Sequence, residues 1–190
     1  MKTDKKIFEI IIFARAGQGA KSAAEVLAQA ALLEGKQVQA FPYYGPERNG
    51  APTKAYVRIS DDPIRTHEPI LDPDVVLVLD DTLLGSEDVT SNLDEYESLI
   101  VNTNLSRKEV SEAVGGFDGN IKAVDATDIA MEVLGQNKPN GIMLGKLVQV
   151  SGVVKLDSLE QKFRDIFEAK IGEELTNKNI RAIQKGHDSF

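Results

Sequence analysis

Two strand-like runs, residues 37–44 and 53–60, are separated only by the connection GPERNGAP. That segment is too short to hold a crossover helix, so the two strands pair antiparallel if they are neighbours. The second run alternates, with Ala55, Val57 and Ile59 on one face and Lys54, Tyr56 and Arg58 on the other. The rest of the chain alternates strand-like and helix-like stretches, the pattern of parallel pairing between layers of helices. Together these features predict an α/β, three-layer domain with a mixed, mostly parallel sheet flanked by helices. With 190 residues, 42% of them hydrophobic, the chain suits a single domain over 1–190.

The first strand is expected at 6–13 (KIFEIIIF), ending in the glycine turn ARAGQGA at 14–20. A helix over 20–34 follows, with Val26, Leu27, Ala30, Ala31 and Leu33 as its apolar stripe and Gly35 placed to end it. Residues 74–79 (DVVLVL) form the clearest central strand, hydrophobic on both faces, with Asp80 and Asp81 at its end. Short strands are expected at 99–101 and 121–124. Ser106 and Glu109 have capping-box spacing ahead of a helix over 106–114. Further helices are predicted at 127–134 and 140–154, the latter with Gly141, Gly145 and Gly152 for close packing. Asp157 is the expected cap of a helix carrying Leu159, Phe163, Ile166 and Phe167, and a last helix covers 173–185.

Composition excludes several functions. There is no cysteine, so this chain offers no disulfide, no thiolate nucleophile and no iron–sulfur ligation. His67 and His187 are its only histidines and lie far apart, which disfavours a histidine metal site. A formal net charge of -8 disfavours nonspecific nucleic-acid binding. No apolar run is long enough to cross a bilayer and MKTDKK does not open a signal pattern, so the expected location is cytoplasmic, away from membranes.

Two segments stand out as functional. A strand, glycine turn and helix start present free N–H groups to an anion, and Arg15, Gln18, Lys21 and Ser22 add charge and hydrogen bonds beside Gly17 and Gly19. The competing reading is that these glycines only permit a tight turn and close helix packing. As a dinucleotide fingerprint the turn is poor: Ala14 and Ala16 occupy glycine places, and the second strand ends in Phe41, Pro42, Tyr43 and Tyr44 rather than an acid. The second segment is the loop holding Tyr43, Tyr44, Glu47 and Arg48 among glycines and prolines, suited to meeting a partner. Asp80-Asp81-Thr82 could bind Mg²⁺ or do acid–base work, but helix capping before Leu83 is the favoured role.

ARAGQGA, AFPYYGPERNGAP, DVVLVLDDTLL and NGIMLGKLVQVSG, in this order, resemble the gamma subunit of 2-oxoacid:ferredoxin oxidoreductases, the pyruvate synthase group. The resemblance implies a part in the oxidative decarboxylation of a 2-oxoacid with coenzyme A to acyl-CoA and CO2, electrons passing to ferredoxin. It implies no catalytic residue and no cofactor bound by this chain alone. Thiamine diphosphate, Mg²⁺ and iron–sulfur clusters would sit on thiamine-binding alpha/beta-type subunits and a ferredoxin-like cluster subunit. Arg15, Gly17, Gln18, Gly19 and Lys21 would hold coenzyme A or another anion. Tyr43, Tyr44, Glu47 and Arg48 would form a subunit interface. Two other readings stay open: an independent nucleotide-binding α/β protein using the ARAGQGA turn, and a purely structural assembly subunit.

Overall fold

The computed structural model describes residues 5–43 and 50–189. Among these residues, six strands form one sheet in the order β2-β3-β1-β4-β5-β6. β1 (Ile7–Arg15), β4 (Val75–Val78), β5 (Ser98–Asn102) and β6 (Asn120–Val124) are parallel neighbours. β3 (Pro52–Ser60) runs antiparallel to β1 on one side and to β2 (Gln37–Tyr43) on the other. The antiparallel pair required by the short connection is therefore present, with Ala40 opposite Val57. Only β3 runs against the others, so the sheet is mixed and mostly parallel.

The sheet's two faces are covered unequally. Ile10, Ile12, Val57, Leu77 and Ile100 point to a face covered by α1 (Ala20–Leu33), α3 (Ala126–Leu134), α4 (Asn140–Ser151), α5 (Leu156–Ile171) and α6 (Glu173–Asp188). Ile11, Phe13, Val76, Val78 and Leu99 point to the other, where Val110 of α2 (Arg107–Ala113) and the loop residues Ile70, Leu83, Leu84 and Val89 close the core. α4 is enclosed through most of its length, with residues 142–148 buried and Gln149 reaching solvent; Ile142, Met143, Leu144 and Leu147 form its core contacts. α6 crosses behind it. A methyl group built on Gly145 would lie 2.1 Å from the Ile183 carbonyl oxygen, and one on Gly186 2.1 Å from that of Ile142. The two helices thus touch backbone to backbone. Gly141 also packs against Ile183, but Gly152 does not share the expected packing role: at φ 61 it ends α4 in the left-handed conformation.

The helix-end signals expected from the sequence are present with one exception. Gly35 (φ 80) closes α1: its N–H reaches Leu32 O and that of Lys36 reaches Ala31 O, a Schellman pair. Leu33, expected in the buried stripe, is 44% exposed, because the apolar face of α1 is carried by alanines with Val26 and Leu27. Ser106 and Glu109 form the expected reciprocal capping box. Ser106→Ala should therefore destabilise the protein by about 1 kcal/mol. In a melting experiment this appears as a drop of about 2–4 °C. Asp157 is the exception. It lies inside the first turn of α5, with Lys155 at the cap position. The Lys155 N–H is held by Glu34 Oε1 at 2.7 Å, a tether to the end of α1 that starts the helix early. Among the described residues, no helix is long and apolar enough to cross a membrane.

Candidate functional site

β1 connects through α1 to β2 on one side of the sheet, whereas the chain leaving β4 goes to β5 on the other. The carboxyl ends of β1 and β4 therefore diverge, and a crevice opens at this switch point, the usual ligand position in an open α/β sheet. The crevice is a cleft of about 670 Å³, within the range of small-molecule sites. Its walls come from Gly17, Gln18 and Gly19 after β1, Asp80 and Asp81 after β4, Asn102, Thr103 and Asn104 after β5, Asp125, Thr127 and Asp128 after β6, and residues 137–140 ahead of α4.

The glycine turn is held by a closed ring of hydrogen bonds. Gly17 (φ 98) and Gly19 (φ 83) adopt left-handed conformations that strain any residue with a Cβ. The Arg15 N–H donates to Gln18 Oε1 at 2.7 Å, and Gln18 Nε2 donates to Asp80 Oδ2 at 2.6 Å. Thr82 Oγ1 donates to Asp80 Oδ1 at 2.5 Å and accepts from Arg15 Nε and Nη2 at 2.9 and 2.7 Å. Arg15 Nη1 continues to Gly50 O at 3.1 Å, and the Ala16 N–H reaches Ala51 O at 2.9 Å. Asp80 also caps the short 3-10 turn Asp81–Leu83 through the Thr82 N–H, so the capping role is correct and is one of its several bonds. Burial opposes ionisation of Asp80, but the bonds from Thr82 and Gln18 and the nearby Arg15 charge outweigh it and hold its carboxyl below the ordinary value of 3.8.

The inner wall is similarly bonded. Asn102 donates to Leu79 O and Thr127 Oγ1, both at 2.9 Å, and its Oδ1 accepts from the Thr127 N–H. Thr103 Oγ1 donates to Asp81 Oδ2 at 2.7 Å, and Asp125 caps α3 through the Asp128 N–H. The starts of α1 and α4 differ, since neither has a side-chain cap. They stand side by side: a Cβ on Gly19 would lie 2.6 Å from Asn140 Nδ2. Their first internal bonds are Ala23 N–H to Gly19 O and Met143 N–H to Pro139 O. The earlier amides of both helices bring positive ends to the same part of the cleft.

The charge of the lining is asymmetric. Among the described residues of the lining, Lys138, just before the start of α4, is the one basic side chain, while Asp80, Asp81, Asp125 and Asp128 line it after β4 and β6. The uncapped helix starts at Gly19 and Asn140, with Lys138 beside them, are the features of the lining that suit an anionic group. The acidic side suits hydroxyl and amino donors. The chain has no cysteine, and among the described residues no three acidic or histidine side chains gather to hold a metal.

The structure distributes the sequence-selected residues as follows. Gly17, Gln18 and Gly19 line the cleft. Arg15 lies beside it with its guanidinium committed to Thr82 and Gly50. Lys21, exposed on α1, lines a separate groove with Phe41 and Pro42 of β2. Tyr43 ends the edge strand β2, is 54% exposed, and sets its ring edge-on to Tyr56 at 6.3 Å. Tyr44, Glu47 and Arg48 lie outside the described residues. Sequence reading missed the site roles of Lys138, in the polar linker between α3 and α4, and of Asn140, the first residue of α4, and the link from Asp80 to Gln18. Nothing local marks these roles; the sheet order brings the residues together. The same order weakens the dinucleotide reading, because β3 separates β2 from β1 and takes the end of β2 away from the turn.

A family profile described as pyruvate ferredoxin/flavodoxin oxidoreductase matches residues 9–189. "Pyruvate synthase subunit PorC" of Thermotoga maritima is 46% identical over 188 residues, 99% of this chain and 97% of that one. The "pyruvate/ketoisovalerate oxidoreductases common subunit gamma" of Pyrococcus furiosus is 44% identical over 182 residues, 96% of each chain. The fold agrees as well: the crystal structure of the Thermotoga maritima pyruvate oxidoreductase subunit PORC superposes with a TM-score of 0.87 at 45% identity, covering 96% of both chains. With sequence and fold matched over nearly its whole length to gamma-type subunits, the chain belongs to the pyruvate ferredoxin/flavodoxin oxidoreductase family.

Proposed function

We propose that this chain serves as the gamma subunit of a multi-subunit, cytoplasmic enzyme that oxidatively decarboxylates a 2-oxoacid, pyruvate or a branched-chain or aryl relative, with coenzyme A, and passes the electrons to ferredoxin. The observation that carries this reading is the near-complete match to chains named pyruvate synthase subunit PorC and pyruvate/ketoisovalerate oxidoreductases common subunit gamma. Thiamine diphosphate with Mg²⁺ would supply the decarboxylation chemistry, and iron–sulfur clusters the electron transfer. Both are assigned to partner subunits of thiamine-binding and ferredoxin-like type. This chain supplies assembly contacts and binds coenzyme A without a catalytic residue of its own. Tyr43, with Tyr44, Glu47 and Arg48, is the proposed docking segment, and the exposure of Tyr43 at a sheet edge supports that role.

For coenzyme A the supporting observation is the cleft. A phosphate is best accommodated at the paired starts of α1 and α4, near the amides of Gly17 and Gly19, with Lys138 as its cation. Arg15 contributes by shaping the turn, and Lys21 adds positive potential from the outer side of α1. The acidic wall offers acceptors to hydroxyl and amino groups of the nucleotide part. Lys138→Ala in the assembled enzyme should raise the KM for coenzyme A about five-fold, a loss of about 1 kcal/mol, with kcat held within about two-fold. An unchanged KM would remove coenzyme A from this cleft. Affinity purification of the chain from its native source should also recover a thiamine-binding and a cluster-carrying subunit; recovery of an isolated chain would exclude the subunit role.

A further inference from the structure

The ring around the glycine turn contains a residue that the binding reading does not use. Thr82 is exposed and lies outside the cleft lining. Its hydroxyl nevertheless makes three of the ring's contacts: it donates to Asp80 and accepts twice from Arg15. Through Asp80 it reaches the Gln18 side chain, and through Arg15 it reaches Gly50 O at the end of the 44–49 connection. We propose that Thr82 is a positioning residue that, through Arg15 and Asp80, latches the glycine turn to Gly50 ahead of β3 and so sets the geometry of the turn.

A hydroxyl suits this position: Arg15 presents donors and Asp80 an acceptor, and a hydroxyl accepts from the one while donating to the other. Without it, Arg15 Nε, already 3.7 Å from Asp80 Oδ2, is free to close on the carboxylate and compete with Gln18 for the same oxygen. Gln18 Oε1 is the acceptor for the Arg15 N–H, so a displaced Gln18 releases the turn from inside. The ring is partly exposed, so its net contribution to global stability is small. Its effect is on geometry, where a misplacement of about 1 Å outside the chemistry lowers function.

The test compares Thr82→Val, which keeps the shape and removes the hydroxyl, with Thr82→Ser, which keeps the hydroxyl. The kinetic arm rests on the coenzyme A reading; the exchange arm does not. In the full chain, Thr82→Val should abolish hydrogen-exchange protection of the Arg15 and Ala16 amides while the melting temperature moves by less than about 2 °C. In the assembled enzyme it should raise the KM for coenzyme A about five-fold with kcat within about two-fold. Thr82→Ser should restore both. Retained protection in Thr82→Val would overturn the latch whatever the kinetics. Lost protection with an unchanged KM would support the latch and remove coenzyme A from the turn. Failure of Thr82→Ser to restore protection would show that the methyl contact, not the hydroxyl, matters, and would overturn the proposal.

Discussion

Gly145→Ala should destabilise the protein by about 3 kcal/mol or more, at or above the top of the usual range for overpacking. The sign is informative, because glycine to alanine inside a helix is otherwise stabilising by about 1 kcal/mol. Gly145 sits in the middle of α4, where the new Cβ would meet Ile183 O at 2.1 Å and His187 N at 3.0 Å. Both atoms belong to the α6 backbone, so no rotamer change relieves the contact; the helices must separate. Separation would open the layer in which Ile142, Met143 and Leu147 are fully buried. Gly186→Ala tests the same crossing from the other helix, where the Cβ would lie 2.1 Å from Ile142 O. Each variant should lower the melting temperature by about 6–12 °C for a chain of this size. Gly85→Ala, with nothing within 4 Å and no left-handed backbone, is the control and should stay within about 0.5 kcal/mol. A neutral Gly145→Ala would mean that α4 and α6 do not cross this closely.

The second large effect is on function. Gly19→Val in the assembled enzyme should raise the KM for coenzyme A about thirty-fold or more, a loss of about 2 kcal/mol. Two causes act together. The backbone at φ 83 is strained for any Cβ, most of all a branched one. The side chain would also press on Asn140 Nδ2, 2.6 Å from the first added carbon, and wedge apart the α1 and α4 starts. Gly17→Ala separates the causes. Its φ is 98 but nothing lies within 4 Å, so strain acts alone and the KM should change by less than about ten-fold. Calorimetry of the full chain with coenzyme A provides an independent readout. Equal KM values for wild type and Gly19→Val, with the complex assembled, would refute binding at the turn.

Local signals in the sequence were legible where the chemistry is short-range. Ser106 with Glu109, Gly35 after α1 and the alternation from Ala55 to Ile59 each act within a few residues, and each appears in the fold as expected. Asp157 shows how such a signal is overridden: its capping spacing is sound, but Glu34, far away in sequence, holds Lys155 and moves the helix start. The cleft was half legible. Gly17 and Gly19 announce a left-handed turn because glycine enters that conformation without the steric cost of a Cβ. Lys138 announces nothing, and Asn140 announces the start of a helix but not its place beside the glycine turn.

By itself the sequence determined the α/β class, the antiparallel β2–β3 pair, the glycine turn and the exclusion of thiolate chemistry, and its motif order pointed to the family. Each depends on backbone preference, periodicity or the mere presence of a residue type. Tertiary structure alone decided that β3 separates β2 from β1, that α1 and α4 begin side by side, and that Asp80 and Thr82 brace the turn. Those outcomes depend on which strand ends become neighbours. Sheet order is set by the joint burial of two apolar faces, a property of the whole chain that no short segment encodes.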